Sequence, residues 1–388
     1  MAEARIDLPE DGVFVGRIWR PGIGPSVVAV REGRVFDITS RDWPTLSHLL
    51  EAEEAVEVAE GWPGEDIGSV EALEAASLAA RHAAYPDAMR LLAPCDLQAV
   101  KACGVTFARS MIERVIEERA GGDPSRAEAI RARVGAVVGE RLRDLVPGSE
   151  AAAEVKRVLQ AEGLWSQYLE VGIGPDAEVF TKCPPMAAVG WGAEVGLHPI
   201  SRWNNPEPEV VLACDSRGRI RGAALGNDVN LRDVEGRSAL LLGKAKDNNA
   251  SASIGPFIRL LDDDFTLDHL RRLELTLVVE HEGEGFRMEG RSSMAEISRD
   301  PMDLAQQACG RHHQYPDGFM LYCGTLFAPV EDRDAPGQGF THHLGDRVTI
   351  AAPELGALVN TVRLATEAPE WTFGTGALMR NLAGRGLL

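Results

Sequence analysis

The stretch Asn205-Pro206-Glu207-Pro208-Glu209-Val210-Val211-Leu212, read together with Gly226-Asn227-Asp228-Val229, constrains this chain more than any other. Between the two lies the pattern of a β-hairpin. An apolar strand over Val210 to Asp215 leads to a turn at Ser216-Arg217-Gly218 and a return strand from Ile220 to Leu225. Glu209 and Asp228 flank that turn at comparable distances, so the two strand ends meet at one edge. Pro208 keeps the backbone extended between Glu207 and Glu209, and a spacing of two in an extended chain points both side chains the same way. Three carboxylates brought to one place repel one another unless a cation neutralises them. All-oxygen ligation with room for water suits Mg²⁺, with Mn²⁺ or Ca²⁺ as alternatives. Glu207, Glu209 and Asp228 are therefore the candidate metal ligands.

Composition narrows the class of protein. A chain of 388 residues that is 45% hydrophobic can bury a large core and is long enough for two domains. A net charge of −19 argues against nucleic acid or an anionic membrane surface as partner. Six scattered cysteines without CxxC pairing point to a reduced, cytoplasmic setting. The opening MAEARIDLPEDG lacks a basic stretch followed by an apolar run, so no signal peptide is expected. No run reaches the roughly 18 apolar residues of a membrane span. GxGxxG and GxxxxGK[ST] are both absent, which leaves nucleotide binding without support.

Along the chain, residues 13 to 38 alternate apolar and polar positions around Gly and Pro, the pattern of short strands. Asp42 to Glu60 and Val70 to His82 read as helices. These suggest a small N-terminal α/β domain over residues 1–94, followed by a catalytic domain over 95–388. The second unit starts with a buried strand at Ala99 to Val105 and continues into a helical insertion over about 110–165. That insertion comprises Ser110 to Ala120, Pro124 to Asp144 and Ala151 to Gln160. From Val171 onward strands dominate, with one helix at Pro301 to Cys309. Strands with helices set apart from them predict an α+β fold rather than a doubly wound sheet.

Several motifs then fall in an order that resembles the fumarylacetoacetate hydrolase superfamily. They are the three acids, Gly226-Asn-Asp-Val-x-x-Arg-Asp233, Lys246 ahead of Gly255-Pro256, Gly324-Thr325, and His343-Leu-Gly-Asp-Arg-Val348. The resemblance implies a mixed β-sheet roll, or partly open barrel, over roughly residues 95 to 365. Leu164 to Glu170, Trp203 to Val211, Lys244 to Ala250 and Arg380 to Leu388 look more specifically like the superfamily's dehydratases of 2-keto-3-deoxy-D-xylonate, a compound identical to 2-keto-3-deoxy-D-arabinonate. That branch implies Mg²⁺ on the three acids, a 2-keto-3-deoxy sugar acid as substrate, 2,5-dioxopentanoate as product in pentose catabolism, and a homodimer or homotetramer.

One departure selects among reactions. Superfamily hydrolases carry Tyr-x-Asp-His-x-x-Glu, whose His–Glu pair activates water. Here the run is Phe107-Ala-Arg-Ser-Met-Ile-Glu113, with Ser110 in place of the imidazole and Arg109 in place of a carboxylate. Loss of the water-activating base favours a lyase. The resemblance places the active-site lysine at Lys246, with Lys244 as its rival, and an acid/base glutamate at Glu178. Burial and a nearby cation would lower the Lys246 pKa toward a useful range. Which of Glu178 and Lys246 removes the C3 proton stays open. Thr325 matches a residue that hydrogen-bonds the substrate carboxylate, and Ser110 and Arg109 are further candidate substrate contacts. The adjacent pairs His312-His313 and His342-His343 fit no zinc motif and read as structural. A hydrolase of 2,4-diketo acids or acylpyruvates, and a non-catalytic metal-binding scaffold, are the competing readings.

Overall fold

The computed structural model describes residues 5–82, 87–130 and 145–388, except 162, 164, 328 and 330 and the Arg109 side chain. The distal part of the expected Pro124 to Asp144 helix lies outside the described residues; 124–130 are helical.

Sixteen strands are described: β1 (Phe14–Arg20), β2 (Gly24–Arg31), β3 (Arg34–Asp37), β4 (Glu65–Ser69), β5 (Arg90–Leu92), β6 (Ala99–Gly104), β7 (Glu178–Cys183), β8 (Glu194–Leu197), β9 (Pro208–Cys214), β10 (Ile220–Asp228), β11 (Ala252–Leu260), β12 (Glu274–His281), β13 (Phe286–Ser293), β14 (Phe319–Tyr322), β15 (Arg347–Ala352) and β16 (Gly356–Leu364). They form two open sheets. The larger runs β4-β3-β2-β1-β11-β10-β9-β14-β6-β7, with β5 on β1, and the smaller runs β13-β12-β15-β16-β8. The sheets share one apolar cluster, in which Leu212, Leu225 and Phe257 meet Leu277, Ile350 and Leu358. On the other face of the larger sheet, Val211, Ala213, Ala224 and Ile254 pack with Leu46, Leu49 and Val58 of two short helices. The N-terminal strands extend the same sheet, because β1 pairs with β11.

The hairpin forms where the pattern places it. Gly218 takes φ +77 at its turn, a conformation glycine adopts without steric cost, and Asp215 accepts from the backbone N–H groups of Arg217 and Arg219. Both strands run further than the apolar pattern suggests, to Pro208 and Asp228. The reason is β11: Asp228, Asn227 and Gly226 pair with Ala252, Ser253 and Ile254, so the polar end of β10 is a central strand held on both sides.

This topology collects the chemistry at one end of the sheet. Glu209 lies opposite Gly226, and Asp228 donates its backbone N–H to the Glu207 carbonyl. β14 runs antiparallel to β9 and parallel to β6, so Gly324 and Gly104 arrive beside Glu209. β7 pairs antiparallel with β6, which puts Glu178 opposite Gly104. Strand alternation decides the face. Val211 follows Glu209 by two and packs with Ala224 and Tyr322, whereas Val210 and Leu212 turn to the inter-sheet core.

The helix expected over Asp42 to Glu60 is instead two, Leu46–Glu51 and Ala55–Gly61. Between them Glu53 turns to Arg217 and Arg219 at the hairpin tip. A helix from Ala108 to Ala120 closes over the site and ends at Gly121, whose φ of +66 caps it.

Gly226 lies two residues before Asp228 on β10, opposite Glu209 of β9. A Cβ there would lie 2.4 Å from both Val211 Cγ2 and Tyr322 Cε1. Gly226→Ala is therefore expected to lower unfolding free energy by about 1–3 kcal/mol through overpacking, measured as a shift in urea midpoint. An unchanged midpoint would contradict this packing.

Candidate active site and metal centre

Glu207, Glu209 and Asp228 are all buried, and one carboxylate oxygen from each falls within 4.8 Å of the others. Each is restrained differently. Glu209 accepts from the backbone N–H of Gly324 at 2.6 Å. Glu207 offers one oxygen to Arg114 and the other to Lys246. Asp228 Oδ2 lies 3.0 Å from Lys246 Nζ, and its Oδ1 lies 2.8 Å from Lys182 Nζ. Oδ1 is thus ion-paired with Lys182, and as a carboxylate oxygen it keeps a second lone pair that a cation can use.

The pocket they border, with about 350 Å³ of open space, is also lined by Ser110, Arg114, Glu178, Glu235, Lys246 and Thr325. Five carboxylates there face three cationic groups, Arg114, Lys246 and the adjoining Lys182, an excess of two negative charges when all are ionised. The strain shows in Glu209. Burial first, then the charges of Asp228 and Glu207, raise its pKa well above the ordinary carboxylate range. Asp228 goes the other way: burial opposes its charge, but Lys182 and Lys246 outweigh it and lower the pKa. An all-oxygen donor set with an open lone pair and a deficit of two charges fits a hard divalent cation.

Lys246 ends the short helix Leu242–Lys246 and is buried, whereas its rival Lys244 is solvent-exposed. Burial alone lowers the Lys246 pKa, but Asp228, Glu207 and Glu235 reverse the sign and raise it above the ordinary lysine value. Two of those acids are the candidate ligands. The lowering expected from sequence therefore requires a cation to engage them; in its absence their charge holds the proton on Lys246.

Glu178 starts β7, and burial followed by the charge of Glu235 pushes its pKa up to about 7. Its carboxylate leans across Gly104, where a Cβ would come within 2.0 Å of Oε2, so a side chain at 104 would displace it. The Ser110 hydroxyl lines the pocket while donating to the Phe107 carbonyl at 3.0 Å. The Thr325 hydroxyl accepts from the Phe327 N–H at 3.1 Å and donates to the Phe327 carbonyl at 3.5 Å, a long bond that a ligand carboxylate can replace. The structure thus brings together Glu178, Lys246, Ser110, Thr325 and the three acids. Arg109 lies on the same helix, and its side chain is outside the described residues.

No histidine lines the pocket among the described residues. His342 is held by Asp346, and His343 by Glu284 and Asp334. All six cysteines are free and buried. Among the described residues no helix is long and apolar enough to cross a membrane.

Sequence reasoning missed Lys182, Arg114 and Glu235. Lys182 is four residues after Glu178 on the same strand face. Arg114 is one helical turn past Ser110. Either spacing could have marked them as facing the site.

Residues 158–363 match the family model described as fumarylacetoacetate (FAA) hydrolase C-terminal. A protein of Haloferax volcanii named probable 2-keto-3-deoxyxylonate dehydratase is 31% identical over 195 residues, covering 50% of this chain and 63% of that protein. The 2-dehydro-3-deoxy-D-arabinonate dehydratase of Saccharolobus solfataricus is 30% identical over 186 residues, 48% of this chain and 58% of the relative. Each match therefore spans less than two thirds of the relative's length. A solved structure of 2-keto-3-deoxy-D-arabinonate dehydratase complexed with magnesium and 2,5-dioxopentanoate superposes with a TM-score of 0.61 at 20% identity, covering 91% of this chain and 98% of that one. The fumarylacetoacetate hydrolase of Exiguobacterium antarcticum gives 0.54 at 15% identity, covering 91% and 99%. At these identities the structural likeness establishes the fold.

A cation that binds only the folded state stabilises it by about 2.7 kcal/mol at a hundredfold excess over its dissociation constant. Saturating Mg²⁺ or Mn²⁺ is accordingly expected to raise the melting temperature by several degrees, and Asp228→Asn to remove the increase. Equal shifts in both proteins, or none in either, would contradict a cation on these acids.

Proposed function

The chain belongs to the fumarylacetoacetate hydrolase family, and from that premise we propose that it is a Mg²⁺-dependent dehydratase converting 2-keto-3-deoxy-D-xylonate to 2,5-dioxopentanoate. The observation that carries the reading is a carboxyl group poised near neutrality, Glu178, in a pocket that holds three buried acids and no histidine among its described residues. The names of the two partial relatives support it.

Glu207, Glu209 and Asp228 would hold the ion. When bound, it supplies Lewis acidity to the carboxylate and keto oxygens at the C1–C2 end of the substrate, which acidifies the C3 protons. Glu178, with a pKa of about 7, exists in both protonation states near neutral pH. As carboxylate it takes a proton from C3; as acid it returns one to the C4 hydroxyl, which departs as water. The electron pair of the broken C3–H bond becomes the C3–C4 double bond. A proton shift from C5 to C3 then moves the double bond to C4–C5 as an enol, and transfer of the enol hydroxyl proton to C4 gives the C5 aldehyde, so the net change is loss of one water.

Thr325 donates to the substrate carboxylate, and Lys246 carries positive charge beside the oxygens that become electron-rich. Ser110 and Arg109 are assigned as contacts along the substrate, Arg109 on sequence alone. Hydrolysis of an acylpyruvate needs a base to activate water, and Ser110, tied to the Phe107 carbonyl, is a poor one.

Glu178→Gln is expected to lower kcat about 10²–10⁴-fold while leaving Mg²⁺ affinity unchanged, as followed by aldehyde formation and calorimetry. If the ionised form does the work, kcat/KM rises with pH through the Glu178 pKa. A bound cation favours the carboxylate and moves that limb below the ion-free value of about 7. The limb disappears in Glu178→Gln. Formation of pyruvate in place of a five-carbon aldehyde would overturn the dehydratase reading.

A further inference from the structure

A second cavity, with about 700 Å³ of open space, lies away from the acids, and no described residue lines both it and their pocket. β1 and β5 supply Arg17 and Leu92, the segment after β7 supplies Met186 and Val189, and the C-terminal segment supplies Pro369 and Trp371. The β1, β5 and C-terminal walls fall outside residues 158–363, so the family match does not extend to them. Main-chain contacts fix these walls. Val189 exchanges hydrogen bonds with Ala252 and Ile254 of β11, and the Asn249 side chain donates to the Ala365 and Pro369 carbonyls. Gly190 packs so closely on β5 that a Cβ there would lie 2.4 Å from the Leu92 carbonyl carbon.

Arg17, only 4% exposed, is the informative residue of this lining. Its Nε faces Asp96 at 3.3 Å, and its Nη1 donates to the Ala93 and Cys95 carbonyls. Nη2 is treated differently, since its acceptor is the Met186 thioether at 3.6 Å. Sulfur accepts weakly, so this end of a buried guanidinium is under-satisfied. Arg81 adds a second guanidinium to the lining and uses one nitrogen on the Leu78 carbonyl. Glu194, the buried acid there, is already engaged by His82 at 2.7 Å and Arg363 at 3.0 Å, while Glu370 is exposed.

Ligand cavities are mostly apolar, with a few placed polar groups that fix orientation. An under-satisfied guanidinium within apolar and aromatic walls calls for an anionic acceptor at one end of the ligand and a flat apolar body at the other. We propose that this cavity is a second ligand site of the protein and takes an aromatic carboxylate. Its carboxylate accepts from Arg17 Nη2 beside Met186, and its ring lies against Val189, Pro369 and Trp371. The site does not depend on the reaction assigned above. If Arg17 serves only to hold Asp96 and the two carbonyls, the cavity is merely apolar and has no preference for an anion.

Calorimetric titration with 2-naphthoate at neutral pH separates the two, with Mg²⁺ and excess 2-oxobutyrate present to occupy the acid-lined pocket. 2-Naphthol supplies the same rings without the charge. The expected result is one saturable site for 2-naphthoate with a dissociation constant below roughly 1 mM. 2-Naphthol should bind roughly tenfold more weakly or worse, from the loss of a charge-assisted hydrogen bond. Met186→Glu sets a carboxylate of the chain's own against Arg17 and should abolish 2-naphthoate binding. Trp371→Ala removes a solvent-exposed ring from the wall and should weaken both compounds, which carries the test if Met186→Glu does not fold. Three results overturn the proposal: no saturable binding, as when a second copy of the chain covers the cavity; equal binding of 2-naphthol and 2-naphthoate; or 2-naphthoate binding unchanged by either substitution.

Discussion

An excess of negative charge buried at the end of a β-sheet is the constraint around which the rest of the molecule is arranged. Carboxylates taken out of water are costly unless each finds compensation. Here Lys182, Lys246 and Arg114 compensate part of the charge, the Gly324 amide holds Glu209, and a deficit remains that matches a divalent ion. The buried ammonium of Lys182 illustrates how far this goes. It has 0% exposure, and besides Asp228 it contacts the Lys246 carbonyl, so one lysine fixes both a candidate ligand and the backbone of the other lysine.

The sheet makes this arrangement attainable. Antiparallel pairing of β9 with β10 puts two acids directly beside the third, and the parallel and antiparallel partners that follow bring Gly324, Gly104 and Glu178 to the same end. Each position is set by ladder register rather than by a flexible loop. A one-residue slip of β10 would turn Asp228 to the inter-sheet face, where Leu225 and Leu212 pack. The helix above closes the pocket with Ser110, Arg114 and Glu117 on one face, and its charge pairs reach across to Glu207 and Glu235.

What was legible in the sequence follows from the range of the interactions involved. The hairpin could be read because its turn and alternating residues are local, and two short spacings then brought the acids together. The choice of Lys246 over Lys244 needed a resemblance, and burial of one and exposure of the other now give it a physical basis. Lys182, Arg114 and Glu235 escaped notice because their partners lie far away in the chain; Arg114 meets Glu207 across 93 residues. The broken helix near Ala52 has the same origin, since Glu53 answers arginines at the hairpin tip more than 160 residues away. Local pattern identifies elements and their faces. Long-range strand pairing decides where polar strands extend, and long-range ion pairs bear on where helices stop.

The central claim is that Glu207, Glu209 and Asp228 together hold one divalent ion, which in turn holds a 2-keto acid. A crystal soaked with Mn²⁺ and 2-oxobutyrate, measured at the manganese absorption edge, tests it directly. The account predicts a single anomalous peak bonded to one oxygen from each of the three acids at roughly 2.0–2.3 Å, the range for hard divalent ions on oxygen, with carboxylate and keto oxygens of the ligand completing the shell. A peak elsewhere, or an ion that leaves any of the three acids unbound, would contradict it.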